Sequence, residues 1–116
     1  MAPIDWADIK DRPRGLHSGP QTVRITAVRV YTNGNGNRCI ELMLENDDGG
    51  RLPIRRSIEP GYQGYIENFL LAFMGIGVAD VIRGGGWQTL KGAEFMVDVE
   101  YEDGENPVLC PVSGGF

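Results

Sequence analysis

In the runs Thr22–Thr32, Arg38–Glu45, Arg51–Ile58 and Ala93–Tyr101 the apolar residues recur at about every second position, whereas from Tyr62 to Met74 the period becomes 3.6. That one switch limits the chain to a mostly β fold interrupted by a helix. The first period-two run, Thr22 to Thr32, is rich in β-branched residues. Its alternation slips once, because Val23 and Ile25 have one parity and Val28 and Val30 the other. A bulge near Ala27 restores a single apolar face and leaves Arg24, Thr26, Arg29 and Tyr31 on the opposite one. Asn33 to Asn37 (NGNGN) is a hairpin signal, since Asn-Gly supplies the positive φ a tight turn demands. The second run, Arg38 to Glu45, puts Ile40, Leu42 and Leu44 on one side. After the turn at Asn46 to Gly50, Arg51 to Ile58 makes a third strand. Leu52, Ile54 and Ile58 are its expected core residues, and Pro53 marks an edge or a bulge.

Tyr62, Tyr65, Ile66, Phe69, Leu70, Phe73 and Met74 then fall on one helical stripe. Burial of all seven makes this helix part of the core rather than an interaction helix. Pro60 suits a first turn, and Gly75 or Gly77 a C-terminal stop. Val78 to Arg83 adds a short helical turn, and Gly84 to Gly86 connects to Trp87. Ala93 to Tyr101 is a fourth strand with Phe95, Val97, Val99 and Tyr101 inward. An acidic turn, Glu102 to Asn106, leads to a fifth short strand, Val108 to Val112. Residues 1–18 read as an irregular N-terminal arm in which Ile4, Trp6 and Ile9 form a short element docked on the body. Residues 19–116 read as one domain, without repeat or linker.

Three strands, a helix and two strands is the order of a five-stranded OB-type barrel with one helix between strands 3 and 4. The chain also resembles a family of phage-encoded OB-fold proteins related to single-stranded DNA-binding proteins. The residues carrying the likeness are the opening strand after Gly19, the Asn33–Asn37 hairpin with Ile40-Glu41-Leu42, and the Arg51 strand. To these are added the helix ending in Phe69 to Gly77 and the stretch Leu90 to Val97. The resemblance spans about residues 19–112 and implies a role in coating single-stranded DNA during phage replication and recombination. Two features depart from it. Phe116 ends the chain without the acidic tail such binders use to recruit partners, and the loop before the fifth strand holds Glu102, Asp103 and Glu105.

Charge is unevenly placed. The net charge is −5, yet residues 12–56 hold eight arginines against four acids, and residues 61–116 hold two basic residues against eight acidic ones. One part of the surface can therefore attract a polyanion while another repels it. No apolar run approaches the roughly 18 residues of a membrane span, and no export signal is visible, so a cytoplasmic location without membrane attachment is expected. Cys39 and Cys110 lack metal-site spacing. A disulfide between them is one option, and reduced, buried thiols are the expectation in a cytoplasmic chain. No phosphate loop, dinucleotide fingerprint or nucleophile motif occurs, and His17 sits alone in a Gly/Pro-rich loop, so neither catalysis nor a cofactor is expected.

Single-strand binding needs cations that follow phosphates and flat side chains on which bases stack. Arg24, Arg29, Arg38, Arg51, Arg55 and Arg56 are the candidate cations, and Tyr31 and Trp87 the candidate platforms. The competing account has the same arginines paired with Glu41, Glu45, Asp47 and Asp48 as solvated sheet charges, and Trp87 capping the core. Met43 and Met96 have outward parity, where a ligand or a second subunit would explain them. The expected function is sequence-independent single-stranded DNA binding by a homo-oligomer, with a host or phage replication protein as a further partner. The alternative is a protein-binding adaptor or a phage-encoded inhibitor of a host protein, which the net negative charge favours.

Overall fold

The computed structural model describes residues 15–101 and 106–112. The element expected around Ile4, Trp6 and Ile9, the acids Glu102, Asp103 and Glu105, and Phe116 lie outside the described residues. The strands are β1 (Gly19–Thr32), β2 (Arg38–Asn46), β3 (Arg51–Ser57), β4 (Glu94–Tyr101) and β5 (Pro107–Pro111). Two helices, α1 (Gly64–Met74) and α2 (Val78–Arg83), lie between β3 and β4 in the chain, flanked by 3-10 turns at Pro60–Tyr62 and Trp87–Leu90. The strands form one antiparallel sheet in the order β3-β2-β1-β4-β5, curled into a half-barrel.

The curl originates in β1. Its first part, Gly19 to Arg24, pairs with β4, while Val23 to Thr32 pair with β2. The register with β2 slips between Ile25 and Ala27, so Thr26 is the extra residue of a bulge, one position before the expected site. A bulge raises local twist and bends the strand, which lets one strand serve both halves of the sheet. The bulge also restores the apolar face, as Val23 and Ile25 are buried and Val28 and Val30 pack against the same core.

That core lies on the inner face of the sheet. Ile40, Leu42 and Leu44 of β2, Ile54 of β3, and Phe95, Val97 and Val99 of β4 meet Ile66, Phe69 and Leu70 of α1. The rings of Phe69, Phe73 and Phe95 form an aromatic cluster with centroids 4.9–6.0 Å apart. The buried stripe of α1 is shorter than the periodicity predicts. Tyr62 belongs to the preceding 3-10 turn, outside the helix, and is 63% exposed. Tyr65, in the first helical turn, is 69% exposed. A 3-10 turn has three residues per turn rather than 3.6, so the stripe extrapolated from the helix does not carry back to Tyr62. Gly75 ends α1 with a φ of +70°, which glycine alone adopts without a steric penalty.

The β1–β2 hairpin also differs in detail. Of its glycines only Gly36 has a positive φ, +83°. The Asn33 side chain organises the loop, accepting from the N–H groups of Asn35 (2.9 Å) and Asn37 (3.0 Å). Cys39 is a buried free thiol and Cys110 a half-buried one.

Pro53, Pro107 and Pro111 all fall on the edge strands β3 and β5, where a missing N–H disrupts least. Pro53 therefore marks an edge, and the β2–β3 register passes it without a bulge. No hydrogen bonding joins β3 to β5. At the end of the sheet where β1, β3 and β5 begin, a buried polar network closes the structure. Asn46 Nδ2 donates to Gln21 Oε1 (2.9 Å), and Asn46 Oδ1 accepts from the N–H groups of Gly50 (2.7 Å) and Asp48 (3.0 Å). Gln21 Nε2 donates to the His17 carbonyl (2.6 Å). Among the described residues no helix is long and apolar enough to cross a membrane.

Candidate nucleic-acid interface

Strand pleating turns successive side chains to opposite faces, so the cross-strand register decides which candidate residues meet. On the outer face of β1, β2 and β3 it produces four rows. Arg24, Glu45 and Arg51 form the first, Ala27, Met43 and Pro53 the second, Arg29, Glu41 and Arg55 the third, and Tyr31, Cys39 and Ser57 the fourth. Two charged rows of the same composition thus flank an apolar row, with an aromatic ring beyond the third. Glu41 and Glu45 are four residues apart on one strand, which sets the charged rows about 13 Å apart.

Each charged row is ion-paired. Glu41 is held from both sides, by Arg55 (Nε to Oε2, 2.6 Å) and by Arg29 (Nη2 to Oε1, 3.3 Å). Its side chain is only 13% exposed, and the Arg55 hydrogen bond, with Arg29 adding to it, pulls the carboxyl below the ordinary carboxylate range against the cost of burial. Arg51 pairs with Glu45 at 2.9 Å. Arg24 reaches the other way, to Glu94 on β4 at 2.5 Å. The Arg29 guanidinium also lies 4.5 Å from the centroid of the Tyr31 ring. The pairing anticipated for solvated sheet charges therefore exists for Arg29, Arg51 and Arg55 with Glu41 and Glu45, whereas Arg24 pairs with Glu94 instead, and among the described residues no arginine pairs with Asp47 or Asp48. The arginine side chains nonetheless stay 52–60% exposed, and ion pairs this exposed hold weakly.

The remaining candidates lie apart. Arg38 and Arg56 have the parity of Ile40 and Ile54, opposite to that of Arg55. Adjacent residues of a regular strand cannot share a face, so Arg55 and Arg56 do not act together on one. Trp87 packs half-buried against the core from its 3-10 turn. That turn covers β1 where β4 no longer pairs with it, with Gln88 Nε2 donating to the Val28 carbonyl at 3.0 Å.

The row pattern itself was not visible in the sequence, because it depends on the bulge at Thr26 and on the two hairpin registers. The parity of Met43 was the one available signal. Met96, also of outward parity, is 51% exposed on β4, opposite Thr22 and next to the Arg24 end of the first row. The exposed pair Tyr62 and Tyr65 was hidden within the apparent helical stripe. Among the described residues no cluster of three or more His, Cys, Asp or Glu side chains is arranged to hold a metal ion. The chain matches no model of a known protein family and no curated protein.

Proposed function

We propose that the protein is an OB-type barrel that binds single-stranded DNA, without strong sequence preference, across the outer face of β1, β2 and β3. The OB reading rests on the strand order, on a long bulged β1 shared by both halves of the sheet, and on a helix between β3 and β4 that fills the core. The observation that carries the binding reading is the alternation of rows: arginine, apolar, arginine, aromatic. The strip holds four arginines, Arg24, Arg29, Arg51 and Arg55, against Glu41 and Glu45, a surplus of two positive charges. Phosphates compete with the carboxylates for exposed guanidinium groups, while bases lie over Met43, Pro53 and the Arg29–Tyr31 pair.

A second reading, a protein-binding module, draws on the net charge of −5 and on the carboxylates that already engage the arginines. The discriminating experiment is fluorescence anisotropy of a labelled oligo-dT of about thirty nucleotides, titrated at low and at physiological salt, with a duplex control. Binding to the single strand with a log–log salt slope approaching about −3, from about −0.7 per contact over four arginines, supports the DNA reading. Arg29→Glu with Arg55→Glu then abolishes binding, while Arg56→Glu leaves it unchanged. Absence of binding at low salt rejects the DNA reading in favour of the protein-binding one.

A further inference from the structure

The rows of the outer face end where β3 ends, because Ser57 of the fourth row is its last residue. The chain then leaves the sheet through the 3-10 turn Pro60–Tyr62 and enters α1. This corner is pinned to the start of β2. The Ile58 N–H donates to the Arg38 carbonyl (3.0 Å), the Arg38 N–H donates to Glu59 Oε2 (2.6 Å), and Gln63 Nε2 donates back to the Ile58 carbonyl (2.9 Å). Tyr62 and Tyr65 are therefore carried on a fixed corner, which reaches Tyr62 five residues after Ser57.

Both rings stand out of the core, at 63% and 69% exposed. Among the described residues neither stacks on another ring or uses its hydroxyl in a hydrogen bond. Together with Gly61, Gly64 and Asn68 they line a hollow of about 380 Å³. A β-carbon at either glycine would meet no atom within 4 Å, so the space beside the rings is open. Asn68 is exposed, and among the described residues its amide has no partner. No charged side chain lines the hollow. The acids nearest in sequence are engaged elsewhere, Glu59 with the Arg38 N–H and Glu67 with the Val78 N–H at 2.5 Å.

A concave, uncharged surface of two open rings and one amide suits a flat, neutral ring system with polar edges. A nucleobase has that chemistry. Its face stacks on tyrosine, and its edge engages both the donor and the acceptor of an asparagine amide. Position selects the same ligand. Arg38, the first residue of β2, sits at this corner opposite Thr32, one residue pair beyond the fourth row. It is exposed, and among the described residues its guanidinium has no carboxylate within ion-pair distance. Beyond Tyr31 the sheet thus ends in an exposed cation and two open rings. We propose that Tyr62, Tyr65 and Asn68 form a second base-stacking site, which takes nucleotides of single-stranded DNA that run off the sheet beyond Tyr31. This site rests on the four rows being the DNA-binding face, since they hold the rest of the strand.

The test is a length series of labelled oligo-dT, from about six to about thirty nucleotides, titrated by fluorescence anisotropy at low salt. Three proteins are compared: the wild type, Tyr62→Ala with Tyr65→Ala, and Tyr62→Phe with Tyr65→Phe. The shortest strands, held by the rows alone, are expected to bind all three alike, which also shows that the variants are folded. On the longer strands the alanine pair loses about five-fold or more in affinity, the contribution of at least one stacked base. The phenylalanine pair keeps the wild-type affinity there, because the ring face and not the hydroxyl carries the stack. Three results would overturn the second site while leaving the rows in place: an alanine pair that matches the wild type at every length, a loss of equal size at every length, or a phenylalanine pair that loses as much as the alanine pair. A wild type that binds no strand of any length rejects the DNA reading itself, and this site with it.

Discussion

Asn46 carries more of the structure than its polarity in a β-strand implies. It is 8% exposed, joins β2 to β1 through Gln21, and holds the turn into β3 through the Gly50 N–H. Truncation strands a buried acceptor on Gln21 and two N–H groups in the turn. Asn46→Ala is therefore expected to cost about 1–3 kcal/mol, a fall in Tm on the order of 10 °C, measured by thermal unfolding. Gly50 is constrained by close approach, because a β-carbon there would stand 2.6 Å from the Gly15 carbonyl oxygen. Glu41 is different in kind, as its contribution depends on pH. Its carboxyl titrates below the ordinary range because Arg55 and Arg29 hydrogen-bond the charged form. A carboxylate depressed in the folded state stabilises fully above its unfolded value, and the stabilisation fades as acid carries the pH down through the folded value. The difference in urea midpoint between the wild type and Glu41→Gln should thus be constant above about pH 5 and shrink below about pH 4.3. A difference that stays flat down to pH 3 would mean that the two arginines do not hold Glu41 in solution.

At the scale of elements, α1 gives the clearest contrast between residues that one periodic stripe had grouped together. Phe69 is 5% exposed and touches both Phe73 and Phe95, whereas Tyr65 lies one turn earlier and is 69% exposed. Phe69→Ala should cost about 3–5 kcal/mol, and Tyr65→Ser should stay within about 0.5 kcal/mol, both read from urea denaturation. Equal losses would place Tyr65 in the core after all. The strands were legible because a half-buried sheet writes itself as alternation: Ile40, Leu42 and Leu44 are all fully buried, and so are Val97 and Val99. The slip in β1 was legible for the same reason, since a change of parity within one β-branched run has few other causes. The start of α1 was not, because Pro60 is as compatible with a 3-10 turn as with an α-helix and the change from one to the other at Gln63 leaves no apolar signature. The opening between β3 and β5 was equally hidden, since each of those strands alone looks like any other strand.

For the molecule as a whole, the candidate site was legible residue by residue but not as an arrangement. Arg24, Arg29, Arg51, Arg55 and Tyr31 could be read as outward from parity, yet their assembly into rows, and the sharing of Glu41 between two arginines, follow from registers that only folding sets. Register also fixes the field around the site. Glu94, Asp98 and Glu100 occupy the non-core parity of β4; Glu94 borders the first row beside Arg24, while Asp98, opposite Pro20, and Glu100 extend the acidic strand beyond that end of the rows. Of these, Glu94 is engaged by Arg24, whereas Asp98 and Glu100 have no arginine or lysine within ion-pair distance among the described residues. On the proposed DNA reading, a single strand approaching the rows meets repulsion from the acids of β4, which slows encounter without touching the bound state. Reversing these charges isolates the effect. Asp98→Lys with Glu100→Lys should raise the association rate for oligo-dT several-fold at low ionic strength, and the gain should fade toward physiological salt, where the screening length is about 8 Å. The dissociation rate should remain unchanged in stopped-flow displacement. A slower dissociation instead would mean that the strand lies across β4 as well, and the binding track would have to be redrawn from β1–β3 to include it.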